Sequence, residues 1–167
     1  MKAKGYPDLS TRTFLNLVQS THPSLPIFIL TDYDPDGINI FRCYRFGSDA
    51  LAHETQASDL RATWLGVKTG HVLERQSARS PSAASRITAN LSTDCLESVL
   101  PLSVRDRKLA CRVLSKASER DGDEGGVRRE LQMMLMLNSK AEIQSLDETG
   151  NLEHWLDREI LSYLLYY

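Results

Sequence analysis

Residues 1–167 predict an α/β fold, and three observations carry the prediction. "PIFILT" (26–31) is an apolar run of strand length with no clean alternation, the pattern of a strand covered on both faces in a parallel sheet. Helix-patterned segments stand before and after it. A second β-rich run, "RATWLGV" (61–67), follows the second of those helices. The order helix, strand, helix, strand is that of an α/β layer.

The first helix is predicted within "YPDLSTRTFLNLVQSTHP" (6–23). Pro7 and Asp8 supply its turn and cap, Phe14, Leu15, Leu17 and Val18 an apolar face, and Pro23 its stop. After the first strand comes an acidic turn, "TDYDPDG" (31–37), and then "DGINIFRCYRFG" (36–47) as the second helix. Ile38, Phe41 and Tyr44 bury one side of it, and Gly47 suits its end. "QSARSPSAASRITANLST" (76–93) is rich in Ser and Ala and reads as a loop or insert. Ser103 and Asp106 then form a capping-box pattern ahead of "RKLACRVLSKA" (107–117), where apolar residues repeat at i+4. "RDGDEGG" (120–126) is a polar loop. "VRRELQMMLMLN" (127–138) turns Leu131, Met134, Leu135 and Leu137 inward, its methionines serving as core packing. "NLEHWLDREILSYLL" (151–165) closes the chain with Leu152, Trp155, Leu156, Ile160 and Leu164 on one stripe. Trp64 and Trp155 read as core anchors and Cys111 as a buried thiol.

Composition narrows the function classes. The formal net charge is -2, so bulk charge does not suggest nucleic acid, and DNA binding would need a local basic face. Three widely spaced cysteines and four scattered histidines form neither a disulfide framework nor a zinc signature. No apolar stretch approaches the roughly 18 residues of a membrane span, and the start "MKAKGYPDLS" has no apolar signal segment. The expectation is an intracellular protein without a membrane partner.

The acidic turn places Asp32, Asp34 and Asp36 at alternate positions after a buried strand. The pattern matches the first half of an EF-hand loop, but the twelfth position is Cys43 and the preceding flank is a strand, so that reading fails. A phosphotransfer aspartate of the haloacid-dehalogenase kind fits the strand end, but Asp36 stands where that pattern continues with Thr or Val. A magnesium site fits better. Mg²⁺ keeps several waters and needs one or two carboxylates plus phosphate oxygens, and ligands bind at the carboxyl ends of strands in such sheets. Pro35 stiffens the turn so that Asp32 and Asp34 present oxygens to one side, with Asp36 as the cap of the next helix. Three solvated turn residues is the other reading that the stretch allows.

"KGYPDLSTR" (4–12), "LTDYDPDGINI" (30–40) and "YRFGSDALAHE" (44–54) together resemble a known family. So do "WLGV" (64–67), "LPLSVRDRKLACRVL" (100–114) and "RRELQMMLMLNSKAEIQSL" (128–146). The family unites the A-type chain of topoisomerase VI with its eukaryotic relative, the meiotic protein that breaks both DNA strands to initiate recombination. The pieces are collinear and span nearly the whole chain apart from the Ser/Ala-rich insert. The resemblance implies a Toprim fold, a small parallel sheet flanked by helices with a helical C-terminal part. It implies Mg²⁺ on the pair Asp32 and Asp34, together with a glutamate from an earlier strand. It also implies tyrosine transesterification on double-stranded DNA, a homodimer of two A-type chains, a B-type partner, and ATP dependence in the full topoisomerase complex. The meiotic branch fits better than the archaeal one and would place the protein in the nucleus; the other branch would place it in the cytoplasm or nucleoid.

The family's Toprim glutamate and its tyrosine-bearing winged-helix domain lie upstream of the KGYPD motif. The expectation is therefore a partial Toprim domain over 1–167, with no catalytic residue of its own and no DNA cleavage alone. Glu54 lies near the acidic turn without a sign that it replaces the absent ligand. Gly5 and Pro7 shape a turn from which Lys4 and Arg12 would reach a phosphate backbone, with Arg42 and Arg45 extending the basic face. "RDRK" (105–108) reads as a solvated helix face. The alternative function is a non-catalytic module that binds DNA or a sister chain without metal chemistry. The loss of earlier sheet strands would expose apolar surface and lower solubility.

Overall fold

Capping side chains set where the helices begin. The computed structural model describes residues 5–47, 60–78, 99–120, 126–144 and 152–166. In chain order the elements are α1 (Leu9–Thr21), β1 (Ile27–Ile29), α2 (Pro35–Phe46), β2 (Ala62–Trp64), α3 (Thr69–Ala78), β3 (Val99–Pro101), α4 (Val104–Arg120), α5 (Val127–Leu137), β4 (Ser139–Ala141) and α6 (Leu152–Tyr166). Asp8 caps α1 by accepting the Thr11 N–H at 2.7 Å. Asp34 caps α2, with Pro35 at the first helical position, where a missing N–H costs nothing. Gly47 ends α2 at φ 89°, a conformation that a side chain would strain. Ser103 and Asp106 form a reciprocal box at the start of α4. The Ser103 N–H donates to Asp106 Oδ2 at 2.9 Å, and the Asp106 N–H donates to Ser103 Oγ at 3.1 Å.

The strands form two pairs. β1 and β2 are parallel, with Ile27 opposite Ala62 and Ile29 opposite Trp64. β3 and β4 are antiparallel, with Leu100 opposite Lys140. A bridge from the acidic turn joins the second pair to the segment after β1: Tyr33 and Ala141 exchange N–H···O bonds of 2.8 and 2.9 Å. β4 is thus paired on both sides. Helices α2, α4 and α5 pack on one another over the core, with Ile38 and Phe41, Ala110 and Val113, and Leu131 and Met134 buried between them. Burying each large apolar side chain contributes about 1.5–3 kcal/mol. Helix α6 meets the rest through aromatic edges: Tyr163 lies 5.1 Å from Phe28, and Trp155 lies 5.4 Å from His71.

The α/β class, the parallel pair and the helical C-terminal part are as the sequence predicts, and Trp64 and Trp155 are buried. Several local readings differ. Phe14 and Leu17 are exposed on α1, because the inward face of that short amphipathic helix is carried by Leu15, Val18 and Arg12. Leu137 and Leu164 are exposed at the ends of their helices, where each stripe runs past the core, and of the methionines read as core packing Met134 is buried whereas Met136 is exposed on the outer face of α5. Cys111 is exposed on α4, one position beyond the buried Ala110. Helix α3 runs to Ala78 and takes in the first residues of the expected insert; 79–93 lie outside the described residues. Strands β3 and β4, three residues each, carry no readable period.

Candidate functional site

The acidic turn is held from four directions. Thr31 is buried and accepts the Trp64 Nε1–H at 2.9 Å. Asp32 Oδ1 accepts the Ile143 N–H at 2.8 Å, from a residue 111 positions away. Tyr33 turns to the opposite face, is fully buried, and places its hydroxyl 2.7 Å from Thr69 Oγ1. Asp34 Oδ1 accepts the Gly37 N–H at 2.5 Å. Gly37 is required by close approach: a Cβ there would sit 2.5 Å from the Asp32 carbonyl oxygen.

The three aspartates have different partners. Asp32 and Asp34 each give one oxygen to a backbone N–H, and among the described residues nothing donates to either Oδ2. Asp36 is committed elsewhere. It takes both amino groups of Arg105, at 2.9 and 3.4 Å, and the Tyr6 hydroxyl at 3.2 Å. Asp34, not Asp36, is therefore the cap of α2, and Asp36 sits in its first turn as an ion-pair partner. The basic residues of "RDRK" are exposed, as a solvated helix face requires, and Asp106 alone is buried. Arg105 pairs with Asp36, and Arg107 donates to the Leu102 carbonyl at 3.2 Å.

Burial pushes the Asp34 carboxyl above its ordinary range, and the charges of Asp36 and Asp32 push the same way. The Gly37 N–H and the Lys140 ammonium work against the rise. Lys140 was not singled out by sequence. It comes from β4, donates to Asp106 Oδ2 at 2.8 Å, and is held charged by that contact and by the fields of Asp34 and Asp36. The nearest sequence signal was the Ser103–Asp106 box, whose third member is 34 residues downstream of Asp106.

In donor chemistry the pair suits a hard divalent cation: two carboxylates at alternate positions of one turn, each with an oxygen to which nothing donates among the described residues, and Asp34 buried beside the charges of Asp32 and Asp36. Among the described residues no group of three His, Cys, Asp or Glu side chains could hold a metal. Glu54 lies outside the described residues.

Among the described residues the basic candidates Arg12, Arg42 and Arg45 do not form one exposed face. Lys4 lies outside the described residues. Arg12 is buried: its Nε–H donates to the Tyr44 carbonyl at 3.4 Å, in the last turn of α2, where a cation complements the helix dipole. Arg42 is buried against α4 and donates to the Val113 carbonyl at 3.4 Å. A phosphate contact needs an exposed guanidinium, so both are corrected to packing roles. Arg45 is half-buried, with its guanidinium carbon 5.1 Å from the Phe46 ring centre. Beside Asp32 runs an open groove of about 720 Å³ lined by α1, β1 and α2 residues including Phe14, Phe28 and Ile40. No helix among the described residues is long and apolar enough to cross a membrane.

The family model for the Toprim domain shared by Spo11 and the A-type chain of topoisomerase 6 matches residues 1–160. The meiotic recombination protein SPO11-2 of Arabidopsis thaliana is 30% identical over 144 residues, 86% of this chain and 32% of that protein. The meiotic recombination protein rec12 of Schizosaccharomyces pombe is 32% identical over 146 residues, 87% of this chain and 36% of that protein. The A3 chain of DNA topoisomerase 6 from Oryza sativa subsp. indica is 31% identical over 153 residues, 90% of this chain and 30% of that protein. The chain spans about a third of the length of these relatives.

Proposed function

Because the chain belongs to the family of Spo11 and the topoisomerase 6 A-type chain, through its Toprim domain, we propose that it supplies the magnesium- and DNA-binding part of an enzyme that breaks both strands of duplex DNA to initiate meiotic recombination. The relatives named as meiotic recombination proteins support the meiotic branch and, with it, a nuclear, chromosome-associated place. The reaction would be a transesterification. A tyrosine hydroxyl attacks the scissile phosphate, a phosphotyrosyl ester forms at the 5′ end, and the deoxyribose 3′-oxygen leaves with a proton. The attacking tyrosine belongs to the family's winged-helix domain. None of Tyr6, Tyr33, Tyr44, Tyr163, Tyr166 and Tyr167 matches its context.

This chain's own part is to hold. The observation that carries the reading is the split of the aspartates: Asp32 and Asp34 each keep an oxygen uncommitted, while Asp36 is neutralised by Arg105. When bound, Mg²⁺ would polarise phosphate oxygens and offset their charge. Asp32 and Asp34 would fix its place at the end of β1, and the half-buried Arg45 and Lys4 would meet the backbone of the DNA. The groove beside Asp32 leaves room for a further family segment bearing the third carboxylate. A second A-type chain and a B-type chain complete the proposed assembly, with ATP dependence belonging to the full topoisomerase complex.

Magnesium titration followed by calorimetry tests the reading. Wild type is expected to bind weakly, and Asp32→Ala and Asp34→Asn to lose binding by about tenfold or more. Equal titrations for all three proteins would end the magnesium reading. The second reading is a module that binds DNA or its sister chain without metal. DNA affinity that survives EDTA but falls with Lys4→Ala and Arg45→Ala would select it.

A further inference from the structure

The buried side of the acidic turn carries a chain of hydrogen bonds that links three elements. Thr69 opens α3, so its N–H is one of those a helix leaves without an internal partner. Glu130, in the first turn of α5, accepts that N–H through Oε2 at 2.8 Å and accepts the Thr69 hydroxyl through the same oxygen at 2.5 Å. A threonine hydroxyl has one hydrogen, and here it is spent on the carboxylate. The Tyr33 hydroxyl, 2.7 Å from Thr69 Oγ1, must therefore be the donor in that contact. The direction of the chain is fixed: Tyr33 donates to Thr69, and Thr69 donates to Glu130. Tyr33 is fully buried and Thr69 nearly so. Partners 36 and 61 residues apart in sequence are thereby tied to one turn.

Tyr33 stands between Asp32 and Asp34, and alternate residues of an extended segment point to opposite sides. The rotation of Tyr33 about the backbone therefore sets the direction of both carboxylates. The reciprocal Tyr33–Ala141 backbone bonds orient the turn against β4, and the buried side chain adds a second anchor that holds the same rotation from α3 and α5. The geometry points to Tyr33, Thr69 and Glu130 as positioning residues that aim the Asp32–Asp34 pair, by anchoring the reverse side of the turn to the starts of α3 and α5. Asp32 and Asp34 report the aim through the amides they accept, Ile143 and Gly37. A loosened turn releases those two contacts before it disturbs the helix core.

Amide hydrogen exchange of the full chain tests this without any metal. Tyr33→Phe removes one oxygen and keeps the ring that fills the core. The Gly37 and Ile143 amides are expected to exchange about tenfold faster in Tyr33→Phe and in Thr69→Val. The Ala110 and Val113 amides of α4 should stay at wild-type rates. Thr69→Ser, which keeps the hydroxyl, should restore wild-type exchange at all four positions. Unchanged rates at Gly37 and Ile143, or equal acceleration at Ala110 and Val113, would overturn the assignment. A second arm rests on the magnesium reading above. If wild type shows Asp32-dependent Mg²⁺ binding, Tyr33→Phe should weaken it by about tenfold and Thr69→Ser should not. A wild type that binds no magnesium overturns that reading alone, because the exchange arm still decides the positioning role.

Discussion

Asp34 caps α2 and is also half of the proposed metal pair. As the cap of α2 it needs only an acceptor oxygen for the Gly37 N–H. As half of the proposed metal pair it needs a charge. Burial and the neighbouring Asp36 and Asp32 raise its carboxyl above the ordinary value of 3.8, so the folded chain holds this proton more tightly than the unfolded chain does. The ionised form thus costs stability at neutral pH, and the cost fades as pH falls through the folded value. Asp34→Asn keeps an acceptor for Gly37 and removes the charge. In EDTA at pH 7 it should melt slightly above wild type, and the gain should vanish in acid. In excess Mg²⁺ wild type should gain stability and Asp34→Asn should not. Thermal melts at both pH values, with and without magnesium, decide it. A variant that melts below wild type in EDTA would show that the cap needs the charge.

At the scale of elements, the Lys140–Asp106 contact ties β4 to the start of α4 beside the acidic turn. Burial opposes the charge on Asp106, but the Lys140 and Ser103 hydrogen bonds outweigh it and hold the carboxyl below its ordinary 3.8. The Asp106 hydrogen bond, foremost, holds Lys140 above its ordinary 10.5. A lowered acid contributes stability above its unfolded value and loses it as pH falls through the folded one. A raised base contributes below its unfolded value and loses it as pH rises through the folded one. The pair is therefore fully present between about pH 4 and 10. Lys140→Met leaves Asp106 buried with its Ser103 bonds alone. It should cost about 2 kcal/mol at pH 7, or about 4–8 °C in Tm, and the deficit should shrink below about pH 4. A deficit independent of pH would assign the loss to packing. This element-level tie also shows what sequence could and could not supply. The box between Ser103 and Asp106 is a local pattern three residues long and was legible, as were the caps at Asp8 and Gly47 and the parallel strands. The pairing of the acidic turn with β4 was not, because a three-residue strand carries no period and its partner lies more than a hundred residues away. The burial of Arg12 and Arg42 was hidden for the same reason, since the carbonyls they reach belong to other helices. Asp32 and Asp34 could be singled out as a pair, and Pro35 was a local sign that Asp34 caps α2, but the ion pair of Asp36 with Arg105, 69 residues away, could not be read.

At the scale of the whole molecule, the apolar surface of the described residues is distributed unevenly. The core gathers around α2, α4 and α5, whereas α1 turns Phe14 and Leu17 outward, 61% and 59% exposed. Phe14 and the half-exposed Leu30 of the segment after β1 border the open groove that ends at Asp32. Contiguous apolar surface of this kind favours association in water. Isolated residues 1–167 are therefore expected to self-associate as concentration rises. The double variant Phe14→Glu, Leu17→Glu places charge at two positions that contribute little to the core. Burying a Phe or Leu in a contact contributes about 1.5–3 kcal/mol each, so the concentration at which association sets in should rise about tenfold or more. The Tm of the dilute protein should move by no more than about 2 °C, since surface substitutions fall within about 0.5 kcal/mol. Sedimentation velocity across a concentration series, with melts of the same samples, checks both. Unchanged association in the double variant would place the adhesive surface elsewhere, with the exposed Leu161, Leu164 and Leu165 of α6 next in line. A fall in Tm of several degrees would instead show that Phe14 and Leu17 support the packing of α1.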